Sequence, residues 1–164
     1  MFFIESEVET LGLAKAFFIH PLVSVVMPTY NRAHLLPDVI ESILGQDFQN
    51  LELVIIDDGS TDETKSIIEK YDDTRVRYIH LPKNRGLGFA RAAGLRYAKG
   101  DYIALADSDD IWVPNRLSLQ ITYLDKYQHI DILFGNFLDI DHTKNTESLG
   151  ISEKRNVFQL YETR

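Results

Sequence analysis

Three of the four consecutive residues Asp107-Ser108-Asp109-Asp110 are acids. In extended backbone, residues two apart project to the same side, so Asp107 and Asp109 aim their carboxylates at one point. Such a pair suits a hard divalent cation, Mg²⁺ or Mn²⁺, which takes one or two protein carboxylates and fills its remaining positions with phosphates and waters. The competing reading is that these acids cap the helix that follows, a task for which one Asp suffices. Acids packed this closely repel one another, and a bound cation relieves the repulsion. The cluster is therefore read as functional.

Two other segments carry comparable chemistry, Pro28-Thr29-Tyr30-Asn31-Arg32 and Asp57-Asp58-Gly59-Ser60. Of Asp57 and Asp58, one is expected to be structural, as part of an acidic turn feeding a helix. The other can accept a hydrogen bond from a ring N–H or a ribose hydroxyl, as acids do in dinucleotide folds. Tyr30 either stacks on a base or packs its amphipathic ring within the loop. Gly86 and Gly88 look like part of a dinucleotide loop, but Arg91 stands where a third glycine belongs, and no nicotinamide site is expected. Arg85 and Arg91 flank that segment, either to meet a diphosphate or as solvated helix-surface charge.

The elements that must position these residues follow from periodicity. Leu22 to Met27 is a short β-branched run closed by Pro28 and reads as a buried strand, Leu51 to Ile56 reads as a second buried strand, and Val76 to Leu81 and Tyr102 to Ala106 read as a third and a fourth strand. Between them, Leu35, Leu36, Val39, Ile40, Ile43 and Leu44 make one apolar helical face, with Pro37 tolerable in the first turn. Ser60 and Glu63 have capping-box spacing for a helix running to about Tyr71. An Ala-rich helix is expected to end at Ala98 with Gly100 as its C′ residue. Another helix is expected to start at Pro114, with Leu117, Gln120, Ile121 and Leu124 on one face, before an extended stretch from Asp131 to Ile140. Strands alternating with helices predict an α/β, three-layer fold, a mostly parallel sheet with helices on both faces and ligands at the carboxyl ends of the strands. The chain accordingly divides into an N-terminal arm over 1–21, a core domain over 22–140 and a polar tail over 141–164.

Composition narrows the function. The 164 residues form one ordinary domain, with 17 Lys and Arg against 25 Asp and Glu. The net charge of −8 and a pI near 5.0 argue against a nucleic-acid partner or an anionic lipid footprint. No cysteine is present, which excludes disulfides, thiolate nucleophiles and Cys-based zinc sites. The apolar stretch from Leu11 to Met27 is broken by Lys15, His20 and Pro21, so no membrane span is expected, and Glu5, Glu7 and Glu9 replace the positive charge of a secretory signal. A cytoplasmic location is expected, with peripheral attachment to the inner face of a membrane left open.

Taken together and in order, these segments resemble the family 2 glycosyltransferases of the GT-A fold. The resemblance rests on Val23 through Arg32, Glu52 through Asp62, Asn84-Arg85-Gly86 through Ala90-Arg91 to Gly100-Asp101-Tyr102-Ile103, and Asp107 through Asp110. It implies a donor site for a nucleotide sugar in a Rossmann-like domain that lacks the C-terminal acceptor part. By position, Pro28, Thr29, Tyr30 and Asp58 line the nucleoside pocket, with Asp58 accepting from the base, most often uracil. Asp107-Ser108-Asp109 matches the DXD element, in which Asp109 contacts the metal and Asp107 holds the ribose or the metal shell. Asn84 and Arg91 match the donor-side loop, although the Asn that often follows the Arg is Ala92 here.

The expected function is metal-dependent transfer of a sugar from a UDP-sugar to a hydroxyl of a saccharide or lipid-linked acceptor, with inversion. The nucleoside diphosphate accumulates negative charge as it leaves, and a cation neutralises it. Inversion needs a carboxylate base. Glu147, Glu153 and Glu162 are available, but nothing in their spacing singles one out, and no base is assigned. Two alternatives stand beside this reading. One is a nucleotide-sugar-binding fragment that needs a partner to supply the base. The more remote is a phospho-Asp receiver, which would carry its acid pair after the first strand, where Thr29-Tyr30-Asn31 stands.

Overall fold

The computed structural model describes residues 22–127, 129–135, 138–141, 146–149 and 160–161. The arm expected over 1–21 lies outside them, as do Glu153 and Glu162. The chain divides into two compact units, Met1–Asn115 and Arg116–Arg164.

In the first unit, the apolar runs without alternation become strands buried on both faces. Every residue of β1 (Val23–Thr29) and β2 (Leu51–Asp57) is buried. With β3 (Val76–His80) and β4 (Tyr102–Leu105) they form a parallel sheet in the order β3-β2-β1-β4. Val23 lies opposite Leu51 on one side and Tyr102 on the other, and Thr29 finishes level with Asp57. The amide of Ala106 bonds the Val26 carbonyl at 3.0 Å, carrying the β4 pairing one step further. All strand ends therefore open on one edge.

Helix α1 (Leu36–Leu44) begins with Pro37 and Asp38 in its first turn, where a missing N–H and a negative charge are both tolerated, and buries Leu36, Val39, Ile40 and Ile43. Helix α2 (Thr64–Ile68) is short, and α3 (Leu87–Tyr97) buries only Ala90 and Gly94. That narrow, small face lets α3 sit close on the sheet, where Ala90 packs with Val54 and Ile56. A Cβ at Gly94 would stand 2.3 Å from Val26 Cγ1 and 3.2 Å from Ile56 Cγ1. Val25, Met27, Leu53 and Ile55 alternate to the other face of the sheet and are equally buried, so both faces are covered.

The edge of the sheet opposite the strand ends is locked by a polar cluster. Ser24 Oγ donates to Glu52 Oε1 at 2.6 Å and Arg77 Nη1 to Glu52 Oε2 at 2.6 Å, while the Lys99 amide reaches Glu52 Oε1 at 2.7 Å. Burial pushes the Glu52 carboxyl up, but the bonds from Ser24, Arg77 and Lys99 together outweigh it, and its pKa falls below the ordinary value. Arg77 also donates to the Tyr97 carbonyl at 2.7 Å, tying the end of α3 to the sheet.

In the second unit, α4 (Arg116–Lys126) buries Leu117 and Ile121. Strand β5 (Ile132–Leu133) pairs antiparallel with β8 (Leu160–Tyr161), and β6 (Leu138–Asp141) with β7 (Thr146–Leu149).

Four expectations about local structure are corrected. Ser60 does not cap α2, which starts at Thr64 with no side-chain bond from its N-cap residue Glu63. The Ser60 hydroxyl instead accepts from the Asn31 amide, and Asp62 Oδ1 accepts from the Thr64 amide at 3.0 Å. The helical bonds of α2 stop at Ile68, and only turn bonds continue to Tyr71. Gly100 is not a left-handed C′ residue; its size matters because a Cβ there would lie 2.6 Å from the Ser24 amide nitrogen. Helix α4 begins at Arg116 rather than Pro114, whose carbonyl accepts from the Asp47 amide at 2.9 Å. The stretch expected to be extended from Asp131 to Ile140 holds the short strands β5 and β6, in line with that expectation, and β7 and β8 fall within residues 141–164.

Gly94→Ala tests the close approach of α3. The added methyl overpacks against Val26 at a cost of about 1–3 kcal/mol. This outweighs the gain of about 1 kcal/mol that Ala brings to a helix. Urea unfolding should show a lower midpoint at unchanged slope.

Candidate functional site

The loops after β1 and β2 are stitched together by side chains. Asn31 holds a left-handed backbone (φ 51), which Asn tolerates better than most residues. From there its Oδ1 accepts the Thr61 amide at 2.8 Å, while its own amide donates to Ser60 Oγ at 2.9 Å. Asp62 Oδ2 accepts the Ala33 amide at 3.1 Å, and the Asp58 amide donates to the Thr29 carbonyl at 2.9 Å.

The two acids after β2 divide their tasks. Asp57 is fully buried and accepts from the Ser60 amide at 2.8 Å and Tyr78 Oη at 2.6 Å, with His80 Nδ1 at 3.2 Å. Burial raises its pKa, but the bonds from Ser60, Tyr78 and His80 outweigh that and hold the carboxyl below the usual carboxylate range. The Tyr78 hydroxyl is pushed up, by burial and then by Asp57. Asp57 is the structural member of the pair. Asp58 instead faces the third loop, where Oδ2 accepts the Gly86 amide at 2.7 Å and both oxygens accept the Arg85 amide at 3.0 Å. Gly59 (φ 77) makes this approach possible, since a Cβ there would lie 2.7 Å from the Asn84 amide nitrogen. A carboxylate has about four acceptor positions, so Asp58 keeps room for another donor.

After β4, Asp107 Oδ1 receives Arg91 Nη2 at 2.5 Å, and Asp109 Oδ2 lies 3.8 Å from Arg32 Nη2. These loops enclose a cleft of about 370 Å³. Pro28, Thr29, Tyr30, Asp58, Asp107, Ser108 and Asp109 line it, which brings most of the residues expected from the sequence to one place. Arg32, Leu87 and Ala90 also line it. Arg32 is a charged lining residue that the sequence motifs do not single out, and its place after a strand-end Asn is the available signal. Asn84 and Arg91 stand outside the lining. The Asn84 side chain accepts from the Gly86 amide of its own loop at 3.1 Å, and Arg91 acts through Asp107. Arg85 stacks its guanidinium 3.5 Å over the Phe89 ring.

Two observations bear on what the cleft takes. Thr29 Oγ1 is buried and has no hydrogen-bond partner among the described residues, so a cleft-lining residue carries an unused hydroxyl. Asp107 and Asp109 offer carboxylates that are 47% and 50% exposed, each balanced by one arginine. Among the described residues no three His, Cys, Asp or Glu side chains converge into a metal cage. Two cleft carboxylates nevertheless fit a hard cation that draws its other ligands from phosphate and water.

The chain is similar to known proteins. The family model "Glycosyl transferase family 2" matches residues 24–163. An Escherichia coli protein named UDP-Glc:alpha-D-GlcNAc-diphosphoundecaprenol beta-1,3-glucosyltransferase WfgD is 39% identical over 116 residues, 71% of this chain and 46% of that protein. The crystal structure of Staphylococcus aureus TarS 1-349 in complex with UDP superposes with TM-score 0.62 at 33% identity, over 65% of this chain and 32% of that one. The mannosyltransferase PcManGT from Pyrobaculum calidifontis, in complex with GDP-Man and Mn²⁺, gives TM-score 0.58 at 29% identity, over 77% and 37%. The fold is of the GT-A type, as the resemblance implied. The chain spans well under two thirds of the length of the curated relatives it matches, 46% of one, 54% of another and 20% of a third.

Asp57→Asn tests the division of labour between the two acids. The folded-state pKa of Asp57 is depressed, so its contribution is complete above the unfolded value of about 4 and disappears as pH falls through the folded value. The variant should lose about 1–3 kcal/mol at pH 7. Denaturant unfolding at several pH values should show the gap to the parent closing below about pH 4.

Proposed function

The chain belongs to glycosyl transferase family 2, and on that footing we propose that it binds a UDP-sugar in the strand-end cleft, through Mn²⁺ or Mg²⁺ at Asp109, for transfer of the sugar to an acceptor hydroxyl with inversion. The observation that carries this reading is the meeting of Thr29, Tyr30, Asp58, Asp107, Ser108 and Asp109 in one cleft. The UDP bound in TarS and the GDP-Man with Mn²⁺ bound in PcManGT support it.

Pro28, Thr29 and Tyr30 hold the nucleoside, with the unused Thr29 hydroxyl and the Tyr30 ring as its contacts. Asp58 accepts from the base while keeping the 84–86 loop in place. Asp107, fixed by Arg91, takes the ribose or the shell of the cation, and Ser108 completes that wall. Asn84 shapes the donor-side loop. A cation at Asp109 supplies charge neutralisation for the departing diphosphate. The acceptor is a saccharide or a lipid-linked group, a reading supported by the relative named for a diphosphoundecaprenol substrate. No helix among the described residues is long and apolar enough to cross a membrane, and a cytoplasmic, membrane-peripheral location suits such an acceptor.

A second reading is donor binding without turnover, in which a partner supplies the base. Calorimetric titration of UDP, with Mn²⁺ and with chelator, separates binding from transfer. Binding should require Mn²⁺, and Asp109→Asn should lose this metal-dependent binding, while its unfolding free energy stays within about 0.5 kcal/mol of the parent. Equal UDP affinity with and without metal, in both proteins, overturns the metal assignment. Donor turnover in the presence of acceptor saccharides decides between the two readings.

A further inference from the structure

We infer that Arg32 is the exchangeable counter-charge of the cleft: it neutralises Asp109 before the donor arrives and turns onto the donor's diphosphate once Asp109 takes a divalent cation. The inference rests on the donor reading above.

Three observations support it. First, the cleft lining holds the carboxylates of Asp58, Asp107 and Asp109, and Arg32 is the one cationic side chain among the residues that line it. A diphosphate entering such a lining meets like charge, and Arg32 is the lining group whose guanidinium can answer it with paired N–H donors.

Second, the backbone of Arg32 is fixed while its head is loose. On either side, Asn31 is bonded to Ser60 and Thr61, and Ala33 to Asp62. The Arg32 carbonyl accepts the Leu35 amide at 2.9 Å. The guanidinium, by contrast, has only the 3.8 Å approach to Asp109 among its described ion pairs and hydrogen bonds, with both side chains about half exposed. The local fold therefore aims the residue at the cleft and leaves its charge free to choose a partner.

Third, the other cleft pair is built differently. Arg91 grips Asp107 at 2.5 Å with its side chain 35% exposed. Asp107 thus keeps its arginine, and Asp109 is the carboxylate whose arginine is easily released. An exposed ion pair of this length is worth little and yields to a stronger competitor.

The role predicts effects of opposite sign. Arg32→Gln removes a positive charge beside the cation position, so Mn²⁺ alone should bind roughly two- to fivefold tighter, read by the electron paramagnetic resonance of free Mn²⁺. The same variant lacks the diphosphate contact, so UDP with saturating Mn²⁺ should bind roughly two- to fivefold weaker in calorimetry. Arg32→Lys should stay near the parent on the first readout and fall between on the second. Arg96→Gln, the same charge change at an exposed position near the C-terminus of α3, should leave both unaltered. An unchanged unfolding midpoint shows that Arg32→Gln is folded. If Arg32→Gln moves both affinities in the same direction, or neither, the exchange is overturned while donor binding stands. If the parent itself binds no UDP with Mn²⁺, the donor reading fails and the role of Arg32 fails with it.

Discussion

The parallel register of β1 with β2 on one side and β4 on the other is the constraint on which the rest of the molecule depends. A slip of one residue would turn every side chain of β1 onto the wrong face of a sheet whose two faces are both buried. The Ser24, Glu52 and Arg77 cluster guards the same register with polar groups, because any slip would strand a buried carboxylate without its partners. With the register fixed, Thr29, Asp58 and the Asp107 turn have one place to go. The acids at the strand ends are brought together by hydrophobic packing well below them, and the electrostatic strain of their meeting is borne by the core.

How that strain is managed differs from acid to acid. Asp57 is satisfied internally by Ser60, Tyr78 and His80 and takes no part in the cleft. Asp58 is satisfied largely by backbone amides of the neighbouring loop, so it acts as scaffold and lining at once. Asp107 has a firm arginine and Asp109 a loose one. The gradient runs from sequestered to available along the path from the core to the cleft, which is the direction in which a cation and a phosphate would have to come.

Much of this could be read from the amino acids. Val23-Ser24-Val25-Val26-Met27 and Leu51 to Ile56 announce strands buried on both faces because they are apolar without alternation, and the register of acids after them follows from the strand-end rule. What could not be read was side-chain choice among local partners. Ser60 with Glu63 has the spacing of a capping box, yet the hydroxyl is drawn to the Asn31 amide of a loop that is remote in sequence. Gly100 has the position of a helix terminator, yet its smallness answers a contact with β1. Which of Asp57 and Asp58 would be sequestered depended on Tyr78 and His80, two residues of another strand. Arg32 was hidden for the same reason: its importance comes from Asp109, far along the chain. Each of these depends on a tertiary neighbour, and local pattern carries no information about such neighbours.

The cross-stitching of the first two loops by Asn31, Ser60 and Asp62, and of the third by Asp58, has a thermodynamic consequence. These segments are ordered by their own bonds before any ligand is present. Freezing a loop on association costs free energy that must be drawn from the contacts made, and here that entropic toll has already been met during folding. The freedom left to lose belongs to a few half-exposed side chains, chiefly the Tyr30 ring and the Arg32 head. A ligand entering this cleft meets a mould that is already set, and its affinity reports the quality of the contacts more than the work of assembling them.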